Sequence, residues 1–376
     1  MRVVVNARFL IKDKLEGIGW FSYEVLTRMV LAHPEVEFIF LFDRPFDSSF
    51  IFADNVKGVR LSPPARHPFL WYVWFEWAVA RYVKKASADV FFSPDGFLSL
   101  RSKLPQVVVC HDIAFEHFPQ YVPGLVKRYY KYFTPKYVQS AHQVVTVSNF
   151  VKQDIVQYYG IDASKITVAN NAARAAFKPM SQSARDAFKA KHTHGEDYFI
   201  YVGAIHPRKN VELIIQAFEQ YKLKTKSTIK LVLLGRLAWQ TDTFERQLAH
   251  SPVRQDIILP GYCTTDQLVQ YTAGAQAMIY VSKSEGFGIP LLEAMQCGVP
   301  LIVSDQTSLP EVAGDAALIC PVDDNDQLAV YMEAIMLDED LRADLIQKGY
   351  KRVKHYTWDR AAKVCFDAIE KAAHSN

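Results

Sequence analysis

At 376 residues, half of them apolar and 22% charged, the chain is long enough for two cores of about 150 residues each and too apolar for a disordered or fibrous protein. Its 43 Lys and Arg stand against 40 Asp and Glu, a formal charge of +3, so no global field recruits nucleic acid and any anion site has to be local. Apolar runs such as 69–75 are far shorter than the ~20 residues that span a bilayer, no signal-peptide core precedes the first polar segment, and five scattered cysteines, without a Cys-x-x-Cys pair, give neither a disulfide framework nor a zinc knuckle; the expectation is a cytoplasmic protein.

Along the chain, short β-branched or aromatic runs alternate with helical patterns. They fall at 3–5, 36–42, 89–93, 107–110, 144–147 and 166–169, and a second series follows at 198–203, 229–235, 256–259, 277–281, 300–304 and 317–320. Twelve strands separated by helices predict an α/β protein with two parallel, doubly wound sheets. The border falls in 178–197, where Ser181 opens a polar helix and His192-Thr-His-Gly195 interrupts the apolar pattern. The predicted domains are therefore 1–179 and 180–354, followed by a final helical segment, 355–376. Thr357 or Asp359 is its N-cap, and Ala361, Val364, Cys365 and Ile369 lie along one face.

The densest chemistry lies in Val281-Ser-Lys-Ser-Glu-Gly-Phe-Gly-Ile-Pro-Leu-Leu-Glu-Ala-Met-Gln-Cys-Gly298. A strand ends at Val281, Gly286 and Gly288 make a tight loop, Pro290 suits a first helical turn and Gly298 a helix end. Backbone N–H groups and a helix dipole at one spot favour an anion, phosphate above all, while Glu285 and Glu293 suit vicinal hydroxyls of a sugar or ribose. The second constellation, Tyr201-Val-Gly-Ala-Ile-His-Pro-Arg-Lys-Asn210, also joins a strand to a helix. Gly203 permits close backbone approach, Asn210 is a candidate N-cap, and Arg208 and Lys209 place two cations at the carboxyl edge of a sheet, where open α/β folds bind ligands. Paired cations suit a diphosphate leaving group.

These residues resemble the retaining glycosyltransferases of the two-domain GT-B type, specifically family 4, which includes many bacterial mannosyl-, glucosyl- and rhamnosyltransferases. The resemblance rests on Glu285 to Glu293 in a Glu-Gly-Phe-Gly-x-Pro-x-x-Glu setting and on Gly203 to Asn210. Val147-Ser-Asn-Phe150, Leu309-Pro-Glu-Val-Ala-Gly-Asp-Ala-Ala317 and Tyr356-Thr-Trp358 extend it over nearly the whole chain. It implies two facing Rossmann-like domains with a cleft between them, the first binding the acceptor and the second the nucleotide-sugar, with the last helix returning to the first. It further implies that Arg208 and Lys209 grip the donor diphosphate, that Glu293 takes the ribose, and that Glu285 faces the transferred sugar. Gly286, Phe287 and Gly288 would bind through their amides, and His111, after the strand 107–110, would stand beside sugar and acceptor. The implied reaction is transfer of a hexose, with mannose the leading choice, to a glycan or lipid-linked hydroxyl, without a metal or other cofactor. The first loop departs from the family's Gly-Gly-x-Gly-Arg and reads Glu16-Gly17-Ile18-Gly19-Trp20. Gly17 and Gly19 remain available there for acceptor or phosphate contact, and Glu16 and Trp20 suggest an acceptor-facing role.

Two alternatives stay open on the residues alone. Gly17-Ile-Gly-Trp-Phe-Ser22 approximates a dinucleotide-binding turn, with Asp43 as the ribose acid of an NAD-dependent oxidoreductase, but eleven residues separate Val5 from Gly17 and Ser22 replaces the third Gly. The other is a sugar-nucleotide-binding subunit without activity. Asp338-Glu-Asp340 reads as a helix N-terminus rather than a metal site. Aromatic and basic residues crowd 66–85 and 127–136, as core helices with basic rims or as a surface resting on a membrane or a lipid-linked acceptor.

Overall fold

In the computed structural model, which describes residues 1–238, 241–261 and 263–374, the chain forms two compact units. One comprises Met1–Asn171 with the segment from Thr357 onward, the other Ala172–Tyr356.

The first unit holds β1 (Arg2–Asn6), β2 (Glu37–Phe42), β3 (Val56–Arg60), β4 (Val90–Ser93), β5 (Gln106–Cys110), β6 (Gln143–Thr146) and β7 (Ile166–Val168). They pair in parallel in the order β3-β2-β1-β4-β5-β6-β7. Helices cover both faces of such a sheet, so its strands read as continuous apolar runs rather than alternating ones: Val3 to Val5 and Phe38 to Phe42 are all buried. The strand β3 was not among the twelve expected. Val56-Lys-Gly-Val-Arg60 has no sustained apolar run, because an edge strand pairs only with β2 and leaves one side exposed.

The last helix, Trp358–Ala373, belongs to this unit. Thr357 is its cap, accepting the Arg360 N–H at 3.2 Å. Trp358 meets the edge of Phe21, Phe366 stacks on His33 with ring centroids 3.4 Å apart, and Asp359 pairs with Arg28 at 3.0 Å.

The second unit holds β8 (Tyr198–Val202), β9 (Lys230–Leu234), β10 (Ile257–Gly261), β11 (Ala277–Tyr280), β12 (Leu301–Ser304) and β13 (Ala317–Cys320). Their order is β10-β9-β8-β11-β12-β13, again all parallel. The chain joins this unit at Ala172, earlier than the expected 180. The reason is that Gln296 donates to the carbonyls of Arg174 (3.3 Å) and Phe177 (2.6 Å), tying 174–177 to the helix Ile289–Gln296.

Both sheets reverse winding direction beside their first strand, between β1 and β4 and between β8 and β11. At such a switch point the two departing loops diverge and leave a crevice at the carboxyl edge. Among the described residues no helix is long and apolar enough to cross a membrane. The aromatic segment folds as one helical run, Pro68 to Lys85 with a π turn at Trp74–Val79. Trp74, Phe75 and Val79 are core, whereas Phe69 and Trp77 are 67% and 46% exposed.

Candidate functional site

In the second unit the two motifs singled out above leave the sheet on either side of its switch point, Gly203–Asn210 after β8 and Val281–Gly288 after β11. Neighbouring strands therefore deliver residues 76 apart in sequence to one place. Arg208 donates through Nη1 to the Ser284 carbonyl, and Lys209 through Nζ to Glu285 Oε1. Arg208 Nη1 lies 3.7 Å from Glu285 Oε2. Lys209 also reaches the Tyr280 hydroxyl at 3.4 Å.

Asn210 opens the helix Val211–Thr225 with φ 59° but does not cap it with its side chain, contrary to the expectation. Its Nδ2 instead donates to the carbonyls of Val281 (3.1 Å) and Val322 (2.8 Å), stitching the two loops together. The short turn Pro207–Lys209 before it is capped by His206, whose Nδ1 accepts the Arg208 N–H at 3.2 Å. Burial, and then the Arg208 and Lys209 charges, lower the His206 pKa to about 4, so the imidazole is a neutral acceptor at neutral pH. Gly203, with φ 151°, stands where a Cβ would fall 2.8 Å from the Tyr201 hydroxyl.

Glu285 is 8% exposed. Burial opposes its ionisation, but the Lys209 and Arg208 charges outweigh burial and hold its pKa below the ordinary carboxylate value. Its own N–H is spent on Thr307 Oγ1 at 3.0 Å, and the Ser308 hydroxyl donates to its carbonyl at 2.9 Å, so the glycine loop is anchored from beneath. Gly288 then takes φ 96° to start the helix Ile289–Gln296, whose N-terminus has no capping side chain and no acid in its first turn. Phe287 is buried, edge-on to Tyr356 at 5.6 Å.

Glu293, five residues into that helix and 3% exposed, does not meet Glu285's partners. Its Oε1 lies 2.5 Å from Arg174 Nε. Burial raises its pKa, and Arg174 pulls the other way without cancelling the shift. Arg174 escaped the sequence reading because it lies 119 residues from its partner.

The remaining sequence candidates lie in the first unit. His111 follows β5 and lines a cavity of about 150 Å³ with Ile18, Asp95, Phe97, Asp112 and Tyr130. Its Nε2 is 2.8 Å from the Pro94 carbonyl, which can only accept. The proton therefore sits on Nε2 and Nδ1 keeps a lone pair, while burial lowers the imidazole pKa. Of the lining residues, Asp95 forms a buried ion pair with Arg8 at 2.5 Å, the two side chains 1% and 5% exposed, with the guanidinium over Phe97. Gly17 and Gly19 line a different and larger cavity. Asp43 cannot serve a dinucleotide ribose as the oxidoreductase alternative required: it is buried and already holds Arg44 and the Ala65 N–H. Asp338 caps the helix Glu339–Val353, accepting the Leu341 N–H at 2.8 Å.

Profiles of two domain families match the chain, "Glycosyltransferase Family 4" over residues 16–176 and "Glycosyl transferases group 1" over residues 182–352. Among curated proteins, the O-antigen chain mannosyltransferase B of Escherichia coli is 28% identical over 98% of this chain and 99% of its own length. The serotype-specific mannosyltransferase WbdA of Escherichia coli is 26% identical over 72% of this chain, a match that spans only 34% of the longer WbdA. Among solved structures, Anabaena HepE in complex with UDP-glucose has the same fold, with a TM-score of 0.75 over 98% of this chain and 99% of its own at 16% identity.

Proposed function

The chain belongs to the glycosyltransferases, a family 4 domain followed by a group 1 domain, and on that premise we propose that it transfers mannose from a nucleoside-diphosphate donor to a hydroxyl of a glycan or lipid-linked acceptor in the building of a polysaccharide. The observation that carries this reading is the meeting of Arg208, Lys209 and Glu285 at the switch point of the second sheet, beside an uncapped helix N-terminus. The donor diphosphate takes up Arg208 and Lys209, which stabilise the charge that grows on it as the sugar leaves. The helix dipole adds to them. Glu285 then faces the sugar, and amides of the loop Gly286–Gly288 bind sugar hydroxyls and phosphate. Arg174 approaches one oxygen of Glu293, so the other serves the ribose hydroxyls.

His111 in the first unit is assigned to the acceptor, with Nδ1 receiving a hydrogen bond from a sugar hydroxyl. Retention by double displacement needs a carboxylate nucleophile under the anomeric carbon, a role this reading does not give to Glu285. On this reading the transfer runs on one face, where the departing phosphate oxygen takes the acceptor proton and the protein positions both substrates. Two cations and a helix start meet the diphosphate, so turnover is expected to survive EDTA; loss on chelation with recovery on Mn²⁺ overturns that part. We place the protein in the cytoplasm, with Phe69 and Tyr132, 67% and 58% exposed among basic residues, as its peripheral contact with the membrane. Flotation with anionic vesicles tests this.

Thermal shift with GDP-, UDP-, dTDP- and ADP-sugars tests the donor. A ligand at 100 times its Kd stabilises by ~2.7 kcal/mol, and one nucleotide series is expected to respond, GDP-mannose foremost. Silence across all four overturns the assignment.

A further inference from the structure

The larger cavity of the first unit, about 790 Å³, has no part in the chemistry above. Three separate segments bring a cation to its wall: Lys14 from the loop after β1, Arg44 directly after β2, and Arg66 from the loop after β3. They converge because β1, β2 and β3 are parallel neighbours whose carboxyl ends share one edge.

Asp43 fixes the arrangement. Its buried carboxylate accepts Arg44 Nε at 2.6 Å, Arg44 Nη2 at 2.8 Å and the Ala65 N–H at 2.8 Å. The Ala65 carbonyl in turn accepts from Trp71 Nε1 at 2.9 Å. One buried anion thus holds both the guanidinium of Arg44 and the backbone that presents Arg66. Lys14 and Arg66 are exposed and, among the described residues, form no ion pair, and Arg44 Nη1 makes no bond to Asp43. Among the described residues Glu16 is the only acid lining the cavity, and Phe9 and Ile18 add apolar surface.

We propose that this cavity binds a phosphate ester carried by the acceptor, with Lys14, Arg44 and Arg66 on the phosphate oxygens and Glu16 on a sugar hydroxyl. The proposal rests on the reading that the first unit takes the acceptor, and it specifies the acceptor's chemical class. Guanidinium groups match phosphate oxygens two at a time, and the volume lies within the ~300–1,000 Å³ of ordinary ligand pockets, far more than an inorganic ion fills. Gly19 belongs to the packing of this wall, since a Cβ there would stand 3.0 Å from the Phe9 carbonyl oxygen. The phosphate has two sources, a soluble sugar phosphate or a lipid headgroup. Phe69, exposed on the helix that begins two residues after Arg66, would lie alongside the second.

The test is calorimetric titration of the full chain at low salt with GDP, inorganic pyrophosphate, mannose 6-phosphate and octyl phosphate. Three proteins are compared: the natural sequence, Lys14→Ala/Arg66→Ala, and Arg208→Ala/Lys209→Ala. The third removes the donor cations, so anion binding that it retains belongs elsewhere. Mannose 6-phosphate or octyl phosphate is expected to bind this third protein, and Lys14→Ala/Arg66→Ala is expected to weaken that binding tenfold or more while leaving nucleoside diphosphate binding unchanged. A preference for octyl phosphate identifies a lipid headgroup, and one for mannose 6-phosphate a soluble sugar phosphate. Unchanged affinity in Lys14→Ala/Arg66→Ala, or loss of all phosphate binding with Arg208 and Lys209, overturns the proposal. Failure of nucleotides to bind the natural protein would instead overturn the donor reading, and the two failures are read from different titrations.

Discussion

The donor loops of the second unit and the cationic wall of the first are built in opposite ways. In the second unit the charged side chains assigned to the donor have internal partners: Lys209 and Arg208 hold Glu285, and Arg174 holds Glu293, while Asn210 ties one loop to the other. In the first unit the cations around the large cavity stand at the surface, and among the described residues only Arg44 of the three is held in an ion pair, by Asp43. A prearranged cluster has little to reorganise when its ligand arrives. An open wall makes weaker, salt-dependent contacts, and it adapts to substrates of different shape. The contrast predicts that substitutions in the second unit act on binding and folding together, whereas those in the first act on binding alone.

The strongest test of that contrast is Arg208→Ala/Lys209→Ala. Each charge-assisted contact contributes ~1.5–3 kcal/mol, so nucleotide affinity should fall by two to four orders of magnitude in a titration. A folded variant with unchanged affinity breaks the picture. Next comes Arg174→Ala, which strands Glu293 as an unpaired buried carboxylate and should cost ~3–5 kcal/mol in urea unfolding. The raised Glu293 pKa gives this loss a sign with pH: a carboxyl raised above its unfolded value favours the fold at low pH and loses that contribution as pH rises. The deficit should therefore shrink on acidification, and a deficit independent of pH would mean that Arg174 acts through packing.

A finer comparison separates the two glutamates. Glu293→Ala should weaken bare nucleoside diphosphate and full donor alike. Glu285→Ala removes the counter-ion of Lys209, so bare nucleotide should bind as well or better while kcat falls by one to two orders of magnitude, a loss of ~1.5–3 kcal/mol. Equal ratios of binding to turnover in the two variants would remove the basis for seating the sugar at Glu285. The smallest effect concerns His206. Its pKa of about 4, against 6.5 unperturbed, means that the unfolded chain binds the extra proton between those values, so stability rises with pH across that window. His206→Gln should flatten that rise, and an unaltered slope would show that other groups set it.

Sequence legibility followed the same division. Glu285, Gly288, Arg208 and Lys209 were readable because a strand, a glycine loop and a helix start succeed one another within a dozen residues, and topology then places the two motifs side by side. Arg174 carries no local signal, and its meaning comes only from the fold. Asp43 was readable as an acid at a strand end, and its partners, Arg44 and the Ala65 amide, close off the oxidoreductase alternative that the spacing already disfavoured. Asn210 was rightly placed at a helix start, yet the left-handed backbone there turned its side chain to two carbonyls. The strand Val56–Arg60 was hidden because its pairing partner, not its composition, makes it a strand.

The helix Trp358–Ala373 has a further consequence for how this protein is born. Residues that complete the first core, Trp358 against Phe21 and Phe366 against His33, leave the ribosome only after the whole of the second unit has been made. At 5–20 residues per second, that interval is roughly 10–40 s. During it, the face of the helix Gly17–Ala32 that will receive the last helix has no cover. The second unit, contiguous from Ala172 to Tyr356, has no such wait, so on the ribosome the half synthesised later is the one free to finish folding first.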